Sequence, residues 1–430
     1  MDALYRNDER GAFPKSWYAA TADIRPPRPP LDGDARADVC VVGAGFTGLC
    51  AALELRKRGL SVIVLEAHRA GFGASGRNGG QVGSGYNKDM AWIEKRLGEN
   101  AARALWDMTE AAKDQVRRFA AEHAPDARFT TGVAHAGFTD AERREFAEEV
   151  EFTATRYGYT QAEALDRAAI QALVKSDRYA GGVIDRGAGH IHPLRYALGL
   201  ARAAEAAGVR ICEMTEATAV EDGRVTTPTG MVRADHIILE GNGYLPNLNG
   251  KVAARVMPIN SFIAATEPLD DPRAVLAEDI AVADTRFVVN YYRMSEDNRF
   301  LFGGREAYTL GFPTNINPPL YRRMIKLFPQ LEGVKIDYTW GGSLGITWTR
   351  LPMVARVGKT ILTASGFSGH GVALSGFTGT VMAEAIAGQA GRFDILSQLP
   401  LRDFPGGAAF RAPLLTLAMT WYGLRDRLGL

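Results

Sequence analysis

A glycine-rich loop near the start of the chain constrains the fold more than any other feature. Residues 38–42 (DVCVV) form an apolar, β-branched run typical of a buried parallel strand, and the loop GAGFTG (residues 43–48) follows directly. Residues 47–57 carry leucine and alanine at helical spacing, Gly59 is placed to end that helix, and residues 61–65 (SVIVL) form a second apolar strand. The order predicts a unit of strand, tight turn, helix and strand.

The spacing Gly-x-Gly-x-x-Gly gives each glycine a separate task. Gly43 permits the tight turn, Gly45 lets the backbone approach a pyrophosphate, and Gly48 lets the helix pack closely on the strand. The helix N-terminus offers free N–H groups and its positive dipole end to the same phosphate. Glu66 ends the second strand, where its carboxylate can accept hydrogen bonds from ribose hydroxyls and would repel a 2′-phosphate. The unit predicts a dinucleotide site that disfavours NADP and leaves NAD and FAD open.

Length and composition are ordinary for a soluble protein of two domains. The chain has 430 residues, is 46% hydrophobic and carries a net charge of +1, so no strong field favours nucleic acid. Its three cysteines, Cys40, Cys50 and Cys212, form no CxxC pair, which argues against a zinc site and a disulfide framework and favours a reducing cytoplasm. His190 and His192 have no third ligand nearby, so no metal is expected.

The membrane signals are confined to the end of the chain. No run of about 18 apolar residues occurs, so no transmembrane helix is expected. Residues 412–430 (APLLTLAMTWYGLRDRLGL) are apolar and then basic. This pattern is typical of a helix docked on the protein's own surface and also of a helix that lies on a membrane, and both interpretations stay open. The sequence does not specify the oligomeric state.

Longer motifs connect the chain with a known family. The stretch DVCVVGAGFTGLCAALELRKRGLSVIVLEAHRAGFGASGRNGGQ resembles the N-terminus of FAD-dependent amine and amino acid oxidoreductases of the D-amino-acid oxidase superfamily. Its GASGRNGGQ loop most resembles the γ-glutamylputrescine oxidoreductase branch. Near the other end, WGGSLGITWTRLPMVARV and ASGFSGHGVALSGFTG have the same character, and FSGHG also occurs in the sarcosine oxidase relatives. The resemblance covers nearly the whole chain and selects FAD among the dinucleotides.

The resemblance implies an α/β fold with two domains, similar to glycine oxidase and sarcosine oxidase. A Rossmann-like FAD-binding domain would comprise residues 1–85, 180–250 and 340–430. An inserted substrate domain with an antiparallel sheet would comprise residues 86–179 and 251–339. The local patterns agree, since VVNYY and FLFGG flank the turn SEDN as the strands of a hairpin do.

The resemblance also implies that FAD is bound without a covalent link. Sarcosine oxidases attach flavin through a cysteine near the last glycine-rich section, and this chain has no cysteine after Cys212. Those relatives also carry a lysine near the flavin that helps oxygen react, and the matching residues 287–292 (FVVNYY) contain none. The electron acceptor therefore stays open between O2 and a quinone or carrier protein.

Two further glycine-rich loops are expected at the flavin. The glycines of GASGRNGGQ permit backbone close to a flat isoalloxazine, and Arg77, Asn78 and Gln81 would supply donors beside it. The loop at residues 366–371 precedes a helix whose positive end can face the N1/C2 edge, where negative charge builds up on reduction. The residues expected to bind FAD are Gly43, Gly45, Phe46, Thr47, Gly48, Glu66, Ala67, Ala74, Ser75, Arg77, Asn78, Gly79, Gly80, Gln81, Val220, Gly241, Asn242, Gly342, Gly369, Gly371 and Val372.

The hypothesis for the activity is oxidation of an amine C–N bond. A neutral amine would bind with its α-carbon over flavin N5, a hydride would pass to N5, and water would hydrolyse the imine; with O2 as acceptor the second product is H2O2. The catalytic candidates are His370, Tyr291 and Trp348. His370, between glycines, is expected to position or hydrogen-bond rather than carry protons. Tyr291, Tyr292 and Trp348 would form aromatic pocket walls for an amine, or are ordinary core aromatics.

The resemblance leans towards a polyamine derivative such as γ-glutamylputrescine, and so towards polyamine catabolism, with small secondary amines and amino acids as alternatives. Two other functions compete with an oxidase. One is an FAD amine dehydrogenase that passes electrons to a quinone or carrier protein. The other is a non-catalytic flavin-binding subunit.

Overall fold

The computed structural model describes residues 4–245, 248–307 and 311–405, so the helix expected at 412–430 lies outside the described residues. The strands in chain order are β1 (Ala35–Val42), β2 (Val62–Leu65), β3 (Gln81–Val82), β4 (Thr130–Gly137), β5 (Ala162–Leu165), β6 (Gly181–His190), β7 (Arg210–Cys212), β8 (Ala219–Glu221), β9 (Arg224–Thr227), β10 (Gly230–Leu239), β11 (Val256–Pro268), β12 (Ala281–Asp284), β13 (Tyr291–Met294), β14 (Arg299–Ala307), β15 (Ile336–Thr347), β16 (Met353–Arg356) and β17 (Ile361–Ser365). The helices are α1 (Trp17–Thr21), α2 (Phe46–Lys57), α3 (Met90–Leu97), α4 (Glu99–His123), α5 (Asp140–Tyr157), α6 (Arg167–Leu173), α7 (Pro193–Ala206), α8 (Gly250–Arg255), α9 (Asn317–Leu327), α10 (Gly371–Ile386) and α11 (Gly391–Leu396).

The first sheet contains the unit predicted around the glycine loop. It has eight strands in the order β16-β17-β10-β1-β2-β7, and β8 and β9 extend it from β10. Strand β1 pairs in parallel with β2 on one side and β10 on the other, and Val39, Cys40 and Val41 are fully buried between the layers. Because β1 is covered on both faces, an uninterrupted apolar run suits it. The predicted strand, turn, helix and strand are confirmed.

Helices α2 and α10 pack closely against each other because glycines lie at their contact. A Cβ on Gly379 of α10 would lie 2.1 Å from the carbonyl oxygen of Thr47, and a Cβ on Gly376 would lie 3.0 Å from the sulfur of Cys50. Both helices begin at the carboxyl ends of first-sheet strands, where ligand sites of such sheets form.

The second sheet has nine strands in the order β15-β11-β14-β13-β12-β4-β6-β3, with β5 beside β6. Its pairs are antiparallel except for β12 with β4. The hairpin predicted around the turn SEDN is confirmed as β13 and β14, although the first strand begins only at Tyr291 and not at Val288.

The second sheet includes strands from three places in the segments that were expected to bind FAD. They are β3, at residues 81–82, β6, at residues 181–190, and residues 340–347 of β15. In β15 the glycines leave room for neighbouring side chains. Gly341 and Gly342 of the run WGGSLG lie in the strand, where a Cβ would come within 2.8 Å of the Phe262 ring or 3.1 Å of the Arg77 side chain.

Candidate functional site

The glycine loop joins β1 to α2 in the geometry that its spacing predicts. Gly43 has a φ of +112°, and a Cβ there would lie 1.9 Å from the carbonyl oxygen of Glu240. A Cβ on Gly48 would lie 2.2 Å from the carbonyl oxygen of Gly43, so the third glycine allows the helix to approach the turn. Gly45 precedes α2 as its N-cap and has no side chain to cover the helix N–H groups. The loop is a cradle that only glycine can form.

Two carboxylates accept hydrogen bonds from consecutive N–H groups of this loop. Glu66 Oε2 accepts from Ala44 at 2.9 Å, and Glu240 Oε1 accepts from Gly45 at 3.1 Å. Burial raises the pKa of Glu66 to about 7 and that of Glu240 to about 8, and each also feels a neighbouring carboxylate. Sequence reasoning used Glu66 and missed Glu240. The signal was there, because an acid at the carboxyl end of a parallel strand, directly before Gly241, lies where such sheets bind ligands.

A cavity of about 810 Å³ runs from this loop to the second sheet. Most of the residues expected at the cofactor line it. They are Gly43, Gly45, Phe46, Thr47, Glu66, Ala67, Ala74, Ser75, Arg77, Asn78, Gly79, Gln81, Gly241, Asn242, Gly342, Gly369, Gly371 and Val372. Three of the expected residues lie outside the lining: Gly48 and Gly80 pack against backbone, and Val220 lies on β8 at the far end of the first sheet.

The GASGRNGGQ loop uses its polar side chains chiefly to hold its own shape. Asn78 Nδ2 donates to the carbonyls of Ala74 and Ser75, and its Oδ1 accepts from the N–H of Gly80. Gln81 donates to the carbonyl of Val282. These two side chains were expected as donors to a ligand, but they donate to backbone carbonyls of the protein.

Arg77 of the same loop combines a structural contact with a free donor. Its Nη1 lies 3.0 Å from both carboxylate oxygens of Asp8, and its Nε donates to the carbonyl of Phe72 at 2.7 Å. Its Nη2 is buried and has no hydrogen-bond partner among the described residues. The guanidinium therefore chiefly ties the loop to Asp8 and to the backbone beside the cavity.

The three aromatic candidates have three different environments. Tyr291 lines the cavity with its ring against Gly79, where a Cβ would lie 2.9 Å from Cδ2, and its hydroxyl lies 3.1 Å from Ser261 Oγ. Tyr292 is buried in the second-sheet core and bonds Tyr179 through the two hydroxyls at 2.9 Å. Trp348 is 52% exposed, lies outside the cavity lining and meets Phe404 edge-on. Alternation along β13 explains why only the first tyrosine faces the cavity.

His370 lies at the start of α10 and lines the cavity. Burial lowers its pKa to about 4, and the nearby His135 of β4 adds to the effect. The imidazole is therefore neutral at neutral pH and offers one donor and one acceptor there.

The cavity has a second lobe that sequence reasoning missed. Glu149 of α5 and Asp185 of β6 line it, together with Trp106 and Tyr159. The Tyr159 hydroxyl donates to Asp185 at 2.5 Å, and the buried Lys113 ammonium donates to the Tyr159 hydroxyl at 2.8 Å. Burial raises the pKa of Glu149, and Asp89 adds to this. We call this region the acidic lobe; its members lie far apart in sequence and share no motif.

Neither a metal site nor a membrane span emerges from the described residues. No group of three potential ligands occurs there, and His192 instead caps α7 by accepting the N–H of Arg195 at 3.2 Å. No helix within residues 4–245, 248–307 and 311–405 is long and apolar enough to cross a membrane.

Comparison with known proteins agrees with this geometry. The family model described as FAD dependent oxidoreductase matches residues 38–385. The chain is 43% identical to a probable oxidoreductase OrdL of Rhizobium meliloti, over 96% of this chain and 97% of the relative. It is 39% identical to γ-glutamylputrescine oxidoreductase of Escherichia coli, over 96% of this chain and 98% of the relative. Among solved structures, glycine oxidase from Geobacillus kaustophilus superposes with a TM-score of 0.68 at 22% identity, covering 83% of this chain and 95% of that one, which shows the same fold. The chain therefore belongs to the FAD dependent oxidoreductase family, and it is an enzyme of that family.

Proposed function

We propose that this enzyme oxidises the C–N bond of an amine that carries a second cationic or polar end, with non-covalently bound FAD and with O2 as the acceptor. The observation that carries the proposal is one continuous cavity. It joins the glycine cradle, the Tyr291 wall and the acidic lobe. The overall reaction is amine plus O2 plus water to aldehyde, the released amine or ammonia, and H2O2.

The described residues fit FAD. The cradle of Gly43, Gly45 and Gly48 would admit a pyrophosphate at the N-terminus of α2, and Glu66 would accept from ribose hydroxyls. The start of α10 is available to a polar edge of the ring system. None of the three cysteines lines the cavity, which supports binding without a thioether link.

The side chains around the cavity bind and orient more than they exchange protons. FAD, when bound, supplies the acceptor for two electrons. Tyr291 and Ser261 present hydroxyls 3.1 Å apart at the cavity wall, where an amine nitrogen can be held. His370 is neutral at neutral pH, so it can accept from an N–H and adds no positive charge that would repel an ammonium. The amine must lose its own proton before oxidation, so activity is expected to rise with pH.

The acidic lobe supports a substrate with two functional ends. Glu149 and Asp185 outnumber the one buried ammonium beside Tyr159, that of Lys113, so together they can attract a cationic group. Trp106 and Tyr159 provide aromatic faces for its methylene chain. A polyamine derivative has this chemistry, and the relative named γ-glutamylputrescine oxidoreductase has such a compound in its name. Simple amino acids would leave the lobe without a partner. A cytoplasmic location stays a prediction of the sequence.

Anaerobic titration of the purified holoprotein tests the proposal. Bleaching of the oxidised flavin bands by γ-glutamylputrescine or putrescine, and not by glycine or sarcosine, is the expected result. Bleaching by small amino acids alone would overturn the assignment of the acidic lobe. A flavin that no amine reduces would overturn the amine reaction itself.

Reoxidation in the same cuvette decides the acceptor. Fast return of the oxidised bands on mixing with air, with one H2O2 per amine, supports the oxidase. Slow return in air and fast return with a soluble quinone would favour the dehydrogenase, which the absence of lysine from residues 287–292 motivates. Membership of an enzyme family leaves the non-catalytic alternative without support.

A further inference from the structure

Glu240 is in an unusual position for an acid. Its side chain extends from the end of β10 into the glycine loop and is 6% exposed. One carboxylate oxygen would lie 2.9 Å from a Cβ on Gly43, 3.2 Å from one on Gly45 and 3.0 Å from one on Gly48. The carboxyl thus fills the space that the three glycines leave open.

The donors that face Glu240 are those a pyrophosphate would need. The Gly45 N–H donates to it at 3.1 Å, and the Gly48 N–H and the Thr47 hydroxyl also interact with it. All three belong to the first turn of α2, whose positive end suits an anion. An ionised Glu240 and a pyrophosphate therefore compete for the same groups.

The other groups around Glu240 do not compensate its charge. Glu66 approaches from the end of β2 on the neighbouring N–H of Ala44, and the Cys50 thiol approaches from α2. Neither of them is a cation, and the uncharged Ser75 hydroxyl completes the surroundings. Two ionised carboxylates beside a pyrophosphate with two negative charges would repel it at short range.

We infer that Glu240 is a cofactor-positioning residue that binds a proton together with FAD. As a neutral carboxylic acid it releases the loop donors to the pyrophosphate and offers its own O–H to a phosphate oxygen. As a carboxylate it keeps those donors and repels the phosphates. At neutral pH this proton is already in place, whereas above the pKa of about 8 it comes from solvent as FAD binds and returns there when FAD leaves. This inference concerns FAD binding, so it stands or falls independently of which amine the enzyme oxidises.

The consequence is an FAD affinity that depends on pH. Since the pKa of Glu240 is raised to about 8, the carboxyl is protonated at neutral pH and ionises as the pH rises through that value. For one linked proton, the dissociation constant of FAD grows by up to about tenfold for each pH unit above the pKa of the free protein. FAD should bind tightly near neutrality and loosely in alkali.

The test measures FAD release from the holoprotein on dilution, by the fluorescence of free FAD, from about pH 6 to pH 9.5, a window around the expected transition. Wild type should lose affinity about tenfold or more above the transition. Glu240→Gln, which is nearly isosteric and cannot ionise, should lose clearly less, because only Glu66, whose pKa is raised to about 7, still ionises beside the loop in this window. Because both proteins bind the same cofactor, their difference removes the titration of FAD itself. A flat wild-type profile, or the same slope in Glu240→Gln, would overturn the inference.

Glu66→Gln provides a matched second variant. It removes the neighbouring negative charge that helps to raise the pKa of Glu240, so the loss of affinity should move to lower pH. A residue that merely supported the loop would change the affinity without moving this midpoint. An unchanged midpoint in Glu66→Gln would contradict the coupling of the two carboxyls.

Discussion

The two ends of the cavity are built in different ways. At the cradle, Gly43, Gly45, Gly48 and Glu66 lie within one strand, helix and strand unit, and only Glu240 approaches the glycines from a distant strand, β10. At the substrate end, the wall combines Gly79, Glu149, Asp185, Ser261 and Tyr291, which come from five distant elements. Cofactor binding therefore depends on a short motif, whereas substrate choice depends on how the whole second sheet is assembled.

Gly43→Ala should abolish FAD binding. The new Cβ would lie 1.9 Å from the Glu240 carbonyl oxygen, and the φ of +112° is strained for any other residue. The flavin absorbance per protein after purification measures the effect, and it should fall below a tenth of wild type, a loss of about 1.4 kcal/mol or more of binding free energy. Gly250→Ala is the control, since no atom lies within 4 Å of its Cβ and α8 begins there. A Gly43→Ala protein with full FAD content would show that the cradle is not required for FAD binding.

Tyr291→Phe and Tyr292→Phe should separate substrate binding from stability, although the two tyrosines are neighbours. Tyr291→Phe removes the hydroxyl beside Ser261 and should lower kcat/KM about tenfold, equivalent to about 1.4 kcal/mol, with FAD retained. Tyr292→Phe leaves the buried Tyr179 hydroxyl without that partner and should cost about 1–2 kcal/mol of unfolding free energy. Steady-state kinetics and chemical denaturation of both variants are the measurements. A larger kinetic defect in Tyr292→Phe would reverse the assignment.

Glu149→Gln should raise KM for a cationic substrate by about threefold to tenfold, because one ion pair near a cavity mouth contributes about 1 kcal/mol. Burial raises the pKa of Glu149, so the carboxyl is protonated at low pH and the difference between wild type and variant should grow as the pH rises. Kinetics across pH with γ-glutamylputrescine measure this. The neighbouring Glu148 is exposed like Glu149 but does not line the cavity, so Glu148→Gln is the matched control. Equal effects of both variants would point to long-range charge and not to the acidic lobe.

Trp348→Ala should change least. Its ring is 52% exposed, contacts Phe404 and does not line the cavity, so kcat/KM and FAD content should stay within about twofold of wild type. Kinetics and flavin absorbance on the same preparation suffice. A fall of about tenfold in kcat/KM would show that the Trp348 ring contacts the substrate and that the substrate site extends beyond the cavity lining.

The sequence predicted the cradle well because its signal is local. Apolar runs, the glycine spacing and the acid after β2 lie within about thirty residues, a range over which periodicity is informative. Arg77 was also expected at the cavity and lies there, but its ion pair with Asp8 depends on a contact across 69 positions of sequence that no local pattern encodes.

The substrate end was predicted poorly for the same reason. Trp348 and Tyr292 have the residue type of a pocket wall, and only strand alternation and the packing of the second sheet turn them away from the cavity. Glycines in β6 and β15 resemble the composition of loops. These positions need glycine because the side chains of Arg143 and Arg77 cross the two strands there. Residue type alone does not show what lies above a strand.

The chain passes between the two sheets several times. It leaves the first sheet after β2, returns for β7 to β10, leaves again for β11 to β15 and returns for β16 and β17. No single cut of the gene would yield either half as a separate piece, and an exchange of substrate ends between relatives would require several simultaneous crossovers. A nascent chain that stalls before residue 361 would lack β17 and α10, and so would expose the unpaired edge of β10 to chaperones and proteases. New substrate preferences in this lineage should thus arise by point substitutions within the cavity, not by recombination.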